Sequence, residues 1–412
     1  MNIRTSYIGI GVAGLLLVFG FAWFFFFRPA TPANPAPASG FGSVVNNNST
    51  SVSGNQSAGG SGTNGIQSIS QTQPVAQQKI VEVAQGPVVA ATIVQTLRPT
   101  TTLARYISAQ DGHVYDLPLD VPGAVPRVVS NTTIPGGYRA LWAQGGSAVL
   151  MQYLEGGVTK TVYVGFPASS TAPTRVQFLP DNIIDFAVSP DGKSVAYLLS
   201  TPGGSSGYTA AANGTGAQKL FSLPLSQLLI SWPSPGTLLV ASKSASGVPG
   251  IALAVDVKSG IVSPLVYGPD LTAFADGNFS HVIYQTQPPG AAAPLTYIHT
   301  VRGGAERVLS LSPYPEQCTT SRSSVSVFYC ATPLEYVGSG YLDLWHAGAA
   351  SVADMLLMFN SASGTSTVLA APGSSDGGSQ ADIFQLAASP DDHYLLYVTK
   401  GDRSLWGVRL GS

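Results

Sequence analysis

The sequence predicts an all-β fold, a β-propeller of seven blades, preceded by one N-terminal transmembrane helix and a disordered tether. Three features predict it: one long apolar run near the amino terminus, a charge-free stretch behind it, and short β-rich runs that recur at the period of a propeller blade.

Behind a short tail (1–6), Tyr7 to Phe27 reads YIGIGVAGLLLVFGFAWFFFF, 21 residues without a charge. At about 1.5 Å per residue it reaches about 31 Å, the length needed for the ~30 Å hydrocarbon core of a bilayer. A cleaved secretory signal has an apolar core of only about 7–15 residues followed by small residues at the cut. Here Phe24 to Phe27 run straight into Arg28 and Pro29, so an uncleaved signal-anchor is expected. Arg4 and the amino terminus together outweigh Arg28, which keeps the tail inside and places the rest of the chain on the extracytoplasmic side of the cell membrane. Residues 28–78 come next, and from Pro29 to Gln78 none is charged. Rich in Pro, Ala, Gly, Ser and Asn, this segment buries too little apolar surface to offset its ordering entropy. It is expected to be a tether, stiffer in PATPANPAPASG and coil-like beyond.

Residues 79–412 are expected to hold the folded domain. Arg4 and Arg28 fall outside it, so 17 bases meet all 21 acids and the domain carries a net charge of −4. A nucleic-acid footprint would be basic and clustered, which excludes that class of partner. Strands are expected at 194–200 (SVAYLLS), 237–243 (TLLVASK), 281–287 (HVIYQTQ) and 394–400 (YLLYVTK), each β-branched or aromatic and bounded by turn formers. Aligned on such runs, seven units start near Lys79, Arg139, Ile183, Leu228, Leu271, Cys318 and Asp382. The central spacings of about 43 to 45 residues match the ~40–50 residues of a four-stranded blade.

Two units share a phrase: FAVSPDGKSVAY from Phe186 to Tyr197, and LAASPDDHYLLY from Leu386 to Tyr397. Pro presets φ at the second turn position, Asp bonds back to the turn backbone, and Gly accepts positive φ. On these residues the chain resembles the TolB-type, WD-repeat-like Ser-Pro-Asp-Gly propellers of bacterial periplasmic and surface proteins. The resemblance implies a propeller of the cell envelope and names no partner. The last unit supplies three strands, ending in SLWGVRL at 404–410, so its fourth must come from elsewhere, with Val75 to Val83 the candidate. Such an exchange removes an exposed edge. A six-bladed ring, with 79–135 as outer strands of the final blade, is the alternative.

Cys318 and Cys330 fall in the sixth unit as QCTTSRSSVSVFYC. In a hairpin turning near Arg322 to Ser324 they face each other across strands, at a separation that suits a disulfide. Two buried free thiols are the alternative.

Catalytic signals are sparse. Gly203-Gly204-Ser205-Ser206-Gly207 has the letters of a nucleophile elbow but is expected in a flexible loop, without the strand and helix that motif needs. Gly192-Lys193-Ser194 lacks the earlier glycine of a phosphate loop. His113, His281, His299, His346 and His393 show no close pair at metal-ligand spacing, so neither metal nor cofactor is expected. The sixth unit carries an unusually long connection, PLEYVGSGYLDLWHAGAASVAD, where other units are expected to cross in roughly 6 to 12 residues. Its Tyr336, Tyr341, Asp343, Trp345 and His346 are residue types enriched at binding hot spots, and they form the candidate site. The same aromatics could instead pack against the blade tops. Two classes of function follow: a tethered binding or scaffold module for an envelope protein or glycan, and an envelope enzyme whose site is assembled from several blades.

Overall fold

The computed structural model describes residues 79–411, apart from 98–99, 131, 134–135, 167–173, 336 and 339. The expected span Tyr7 to Phe27 and the tether 28–78 lie outside the described residues. Among the described residues no helix is long and apolar enough to cross a membrane.

Strands dominate, arranged as seven four-stranded antiparallel sheets. Six are continuous in sequence, with innermost strands Val88–Leu97, Gly137–Ala143, Ile183–Val188, Leu228–Ser234, Thr272–Ala275 and Cys318–Thr320. The seventh begins at Ile383–Ala388, continues through Tyr394–Thr399 and Leu405–Arg409, and takes its outermost strand from Ile80–Ala84. This closing strand runs antiparallel to the last one, with Ile80 opposite Val408 and Glu82 opposite Trp406. The first unit therefore begins at Val88 and not near Lys79, because residues before Gly86 belong to the seventh blade. The ring has seven blades.

The second strand of each blade shows why sequence and fold agree. In Ser194–Thr201, Val195 and Tyr197 enter the core between blades 2 and 3, while Ala196 and Leu198 enter the core between blades 3 and 4. Side chains alternate across a strand, and here both faces meet a neighbouring blade, so the run is apolar throughout. Tyr394–Thr399 repeats the pattern: Leu396 and Val398 face blade 1, Leu395 and Tyr397 face blade 6. Each seam between blades has its own core. Burying one such large side chain contributes about 1.5–3 kcal/mol.

The Ser-Pro-Asp-Gly turns hold the inner hairpins by one scheme. Ser189 Oγ donates to Asp191 Oδ1 at 2.6 Å and accepts the Ser194 N–H at 2.9 Å, and Lys193 N–H bonds Asp191 Oδ1 at 3.1 Å. Ser389, Asp391, His393 and Tyr394 repeat these bonds at 2.6, 2.9 and 3.2 Å. The positive-φ position is Gly192 (φ 72°) in one turn and Asp392 (φ 56°) in the other.

A disulfide joins Cys318 to Cys330, which are direct partners across the first hairpin of blade 6 with Cα atoms 4.1 Å apart. Gly204–Ala211, by contrast, is the third strand of blade 3 and not a flexible loop. Ser205 and Ser206 are buried there, paired against Ser194–Thr201, with no helix behind them to make a nucleophile elbow.

Candidate functional site

Antiparallel meanders sort their connections by face. Turns from first to second and third to fourth strand emerge on one face, the lower; second-to-third connections and blade crossings emerge on the other, the upper. Between the innermost strands runs a central channel of about 910 Å³, lined by blades 1, 2, 3, 4, 6 and 7. Arg139, Glu316, Gln317 and Gln385 line it, with Trp142 and Trp232 presented near the lower ends of their inner strands. Arg139 pairs with buried Asp185 and lies over the Phe186 ring, 4.7 Å from its centroid. Burial raises the Asp185 pKa, and the Arg139 charge opposes that shift. Asp185 also accepts the Phe186 and Ile230 N–H groups at 2.9 and 2.7 Å, so this ion pair locks blades 2, 3 and 4 together.

On the lower face the channel meets a second space of about 500 Å³ along the seam of blades 3 and 4. The two share Ser189, Pro190, Asp191 and Trp232.

On the upper face the long connection of blade 6 spans 334–353 and carries a short helix, α1, at Tyr341–His346. Elsewhere second-to-third connections are as short as 156–157 and 202–203 and no longer than 287–294, so the contrast is sharper than the sequence suggested. The residues named from sequence take distinct places. Tyr341 is buried and stacks on Tyr314, ring centroids 5.5 Å apart. Trp345 is 4% exposed; its indole N–H donates to Asp382 at 2.8 Å and Lys400 Nζ sits 3.9 Å over its ring. Asp343 accepts the Ser246 N–H of blade 4 at 2.8 Å, and His346 lies 3.0 Å from Glu316 at the entry to blade 6. Tyr336 is outside the described residues. The structure thus ties four of the five into one cluster reaching from blade 4 to blade 7, with Leu344 left more than half exposed.

Beneath the helix lies a cluster of buried polar groups. Asp354 accepts the Ile383 N–H at 2.8 Å and Gln317 donates to the Ile383 carbonyl at 2.7 Å. Asp354 Oδ1, Asp382 Oδ2, Gln317 Oε1, Glu316 Oε1 and the Tyr314 hydroxyl are buried without a partner among the described residues. Burial, with Asp382 adding repulsion, pushes the Asp354 carboxyl up to about 8 against the opposing Ile383 bond. Burial likewise lowers the Lys400 pKa, and Asp382 opposes that shift. Among the described residues no three His, Cys, Asp or Glu side chains could together hold a metal ion.

Sequence reasoning missed the channel tryptophans. Their signal was position: each stands within two residues of the end of an innermost strand, where a side chain meets the channel and not a seam alone.

Comparison with known proteins finds no matching family model and no matching curated protein. Among solved structures, an oligogalacturonate lyase from Vibrio parahaemolyticus aligns at 10% identity and a TM-score of 0.53, over 82% of this chain and 95% of that one. An oligogalacturonate lyase in complex with manganese aligns at 12% identity and 0.51, over 80% and 98%. TolB from Acinetobacter baumannii aligns at 13% identity over 77% and 78%, with a TM-score of 0.41 that adds no weight. At these identities the likeness is one of fold: residues 79–411 form a β-propeller, here of seven blades.

Proposed function

We propose that this chain is a binding and scaffold module of the cell envelope, tethered through Tyr7 to Phe27 with its propeller outside the cytoplasm, and that its partner is an envelope protein or glycan. The observation that carries the reading is the continuous concave surface on the lower face, where the channel opens into the groove between blades 3 and 4. Concave, mixed apolar and polar surfaces of this size suit a ligand. Arg139, which lines the channel, is spent on structure: with Asp185 it holds blades together. The disulfide accords with an oxidising compartment. An enzyme acting on envelope glycan or peptide is the second reading, favoured by the polar side chains that several blades bring to the channel.

Protease added to intact cells is expected to release a soluble fragment of propeller size, and full protection of the domain overturns the topology. Incubation of the purified chain with envelope glycans and peptides is expected to give binding without turnover. Turnover favours the enzyme.

A further inference from the structure

We infer that the groove between blades 3 and 4 takes an extended neutral glycan, laid from the lower mouth of the channel across the seam with Trp232 as its platform. The inference rests on the reading of the domain as a binding module and names the class of ligand for that surface.

Trp232 lines both the channel and the groove, so its indole stands where the two spaces meet. A half-buried indole fixed in the core between blades 3 and 4 is a rigid, amphipathic plate, able to stack on the C–H face of a pyranose ring. Around it the wall offers hydroxyl and amide groups: Ser194, Thr209 and Gln218 line the groove. Among the described residues none of these three side chains is engaged in a hydrogen bond, which leaves them for ligand hydroxyls. Asp191 is the one charged side chain of the groove. Its Oδ1 is used by the turn, where Ser189 and Lys193 donate to it. Its Oδ2 remains for a sugar hydroxyl, a charge-assisted bond of the stronger kind.

Charge selects among ligands. A chain of uronic acids would place carboxylates beside Asp191, and like charges repel; among the described residues none that lines the groove is a cation, while Lys193, whose charge acts on Asp191, stands in the turn beside it and Arg322 lies in the channel. A nucleic acid meets the same obstacle. A neutral hexose or N-acetylhexosamine polymer meets none. The length fits as well: a groove of about 500 Å³ continuous with the channel suits a run of several sugar units better than a single ring. Approach is from the lower face, since the 334–353 connection packs over the blade 4 to blade 7 side of the upper one.

The test is calorimetric titration of the full chain in detergent with cellohexaose, mannohexaose and the hexamer of N-acetylglucosamine, beside hexagalacturonate and a set of neutral decapeptides. At least one neutral hexasaccharide is expected to bind and to change tryptophan fluorescence, with hexagalacturonate at least tenfold weaker. Trp232→Ala is expected to weaken binding at least tenfold. Because Trp232 also belongs to a seam core, Gln218→Ala is made in parallel; Gln218 is exposed, so the fold should be untouched and affinity should fall about threefold. Binding insensitive to both variants overturns the assignment. Decapeptides binding through these residues in place of glycans overturn the glycan inference and leave the binding module standing. If neither class binds, both readings fall.

Discussion

The lower and upper faces of this propeller are built on opposite principles. On the lower face the two Ser-Pro-Asp turns are closed by bonds within six residues, and the same bonds recur at nearly the same lengths in blades 3 and 7. On the upper face, the connection of blade 6 leaves five buried polar atoms without a partner among the described residues, beneath a helix pinned by aromatic packing. Local bonding fixes one face; tertiary burial fixes the other. Even the two matched turns differ where a neighbour intervenes. Gly192 stands so close to blade 2 that a Cβ would come within 2.4 Å of the Gln144 nitrogen. Asp392, at the same position of blade 7, accepts the Arg322 and Ser323 N–H groups of blade 6 at 3.1 Å each, together with the Ser321 and Ser323 hydroxyls. One turn is constrained by space, the other uses that position as a clamp.

The comparison breaks first at Trp345. If the upper connection is held by packing, Trp345→Ala should cost about 3–5 kcal/mol, and the thermal midpoint of the whole domain should drop. Tyr341→Ala should move the same way. An unchanged midpoint with loss of binding to envelope material would instead make this connection a recognition surface.

Next in size is the staple of blade 6. Cys318→Ser with Cys330→Ser should cost about 2–3 kcal/mol, the value for a short closed loop, read from denaturant midpoints. Non-reducing mass mapping of native protein should show the pair joined, and two alkylatable thiols would refute the bond.

On the lower face, Asp392→Gly keeps the backbone conformation but removes the clamp on blade 6. A loss of about 1–2 kcal/mol is expected, as for a small set of hydrogen bonds to a charged group. The reverse exchange, Gly192→Asp, should be worse, since the added Cβ collides with backbone. Equal effects at both positions would show that neighbours do not distinguish the turns.

A further test concerns pH. The Asp354 carboxyl titrates near 8 in the folded domain, above its ordinary 3.8. The folded state therefore holds this proton longer than the unfolded chain. Its contribution to stability is fully present below about pH 4 and is lost as pH rises through about 8. Asp354→Asn should flatten that part of the pH–stability curve relative to the parent. Parallel curves would place the proton elsewhere.

How much of this could be read beforehand follows from the same contrast. SVAYLLS at 194–200 announced a strand, and the repeated Ser-Pro-Asp phrase announced its turn, because both depend on neighbours in sequence; that the strand is buried on both faces came from the blades around it. The unit starts at Ile183, Leu228 and Cys318 match innermost strands, and Arg139 and Leu271 fall within two residues of one. Cys318 and Cys330 could be paired because a hairpin sets their register. Gly204–Ala211 was misread, since its Gly and Ser content signals a loop while its neighbours on both sides impose a strand. The roles of Asp354, Asp382 and Lys400 were illegible, because they meet only when blades 6 and 7 close under Trp345. Trp232 carried only a positional signal, near the end of an innermost strand, and its role emerged when the seam of blades 3 and 4 showed two spaces that share it.

The closing strand also sets a schedule for synthesis. Ile80–Ala84 leaves the ribosome well before its partner Leu405–Arg409, with all the other strands of the ring made in between. At ~5–20 residues per second the early strand waits roughly 15 to 65 seconds for the late one. During that interval IVEVA is β-prone and without its final partner, the kind of segment that invites pairing with another chain, whereas the neighbouring VVAATIVQTL finds its partner in Thr100–Ser108 directly behind it. A nascent chain cut short of Leu405 leaves both Ile80–Ala84 and Tyr394–Thr399 with an open edge. The ring's closing bonds thus wait on the synthesis of Leu405–Arg409.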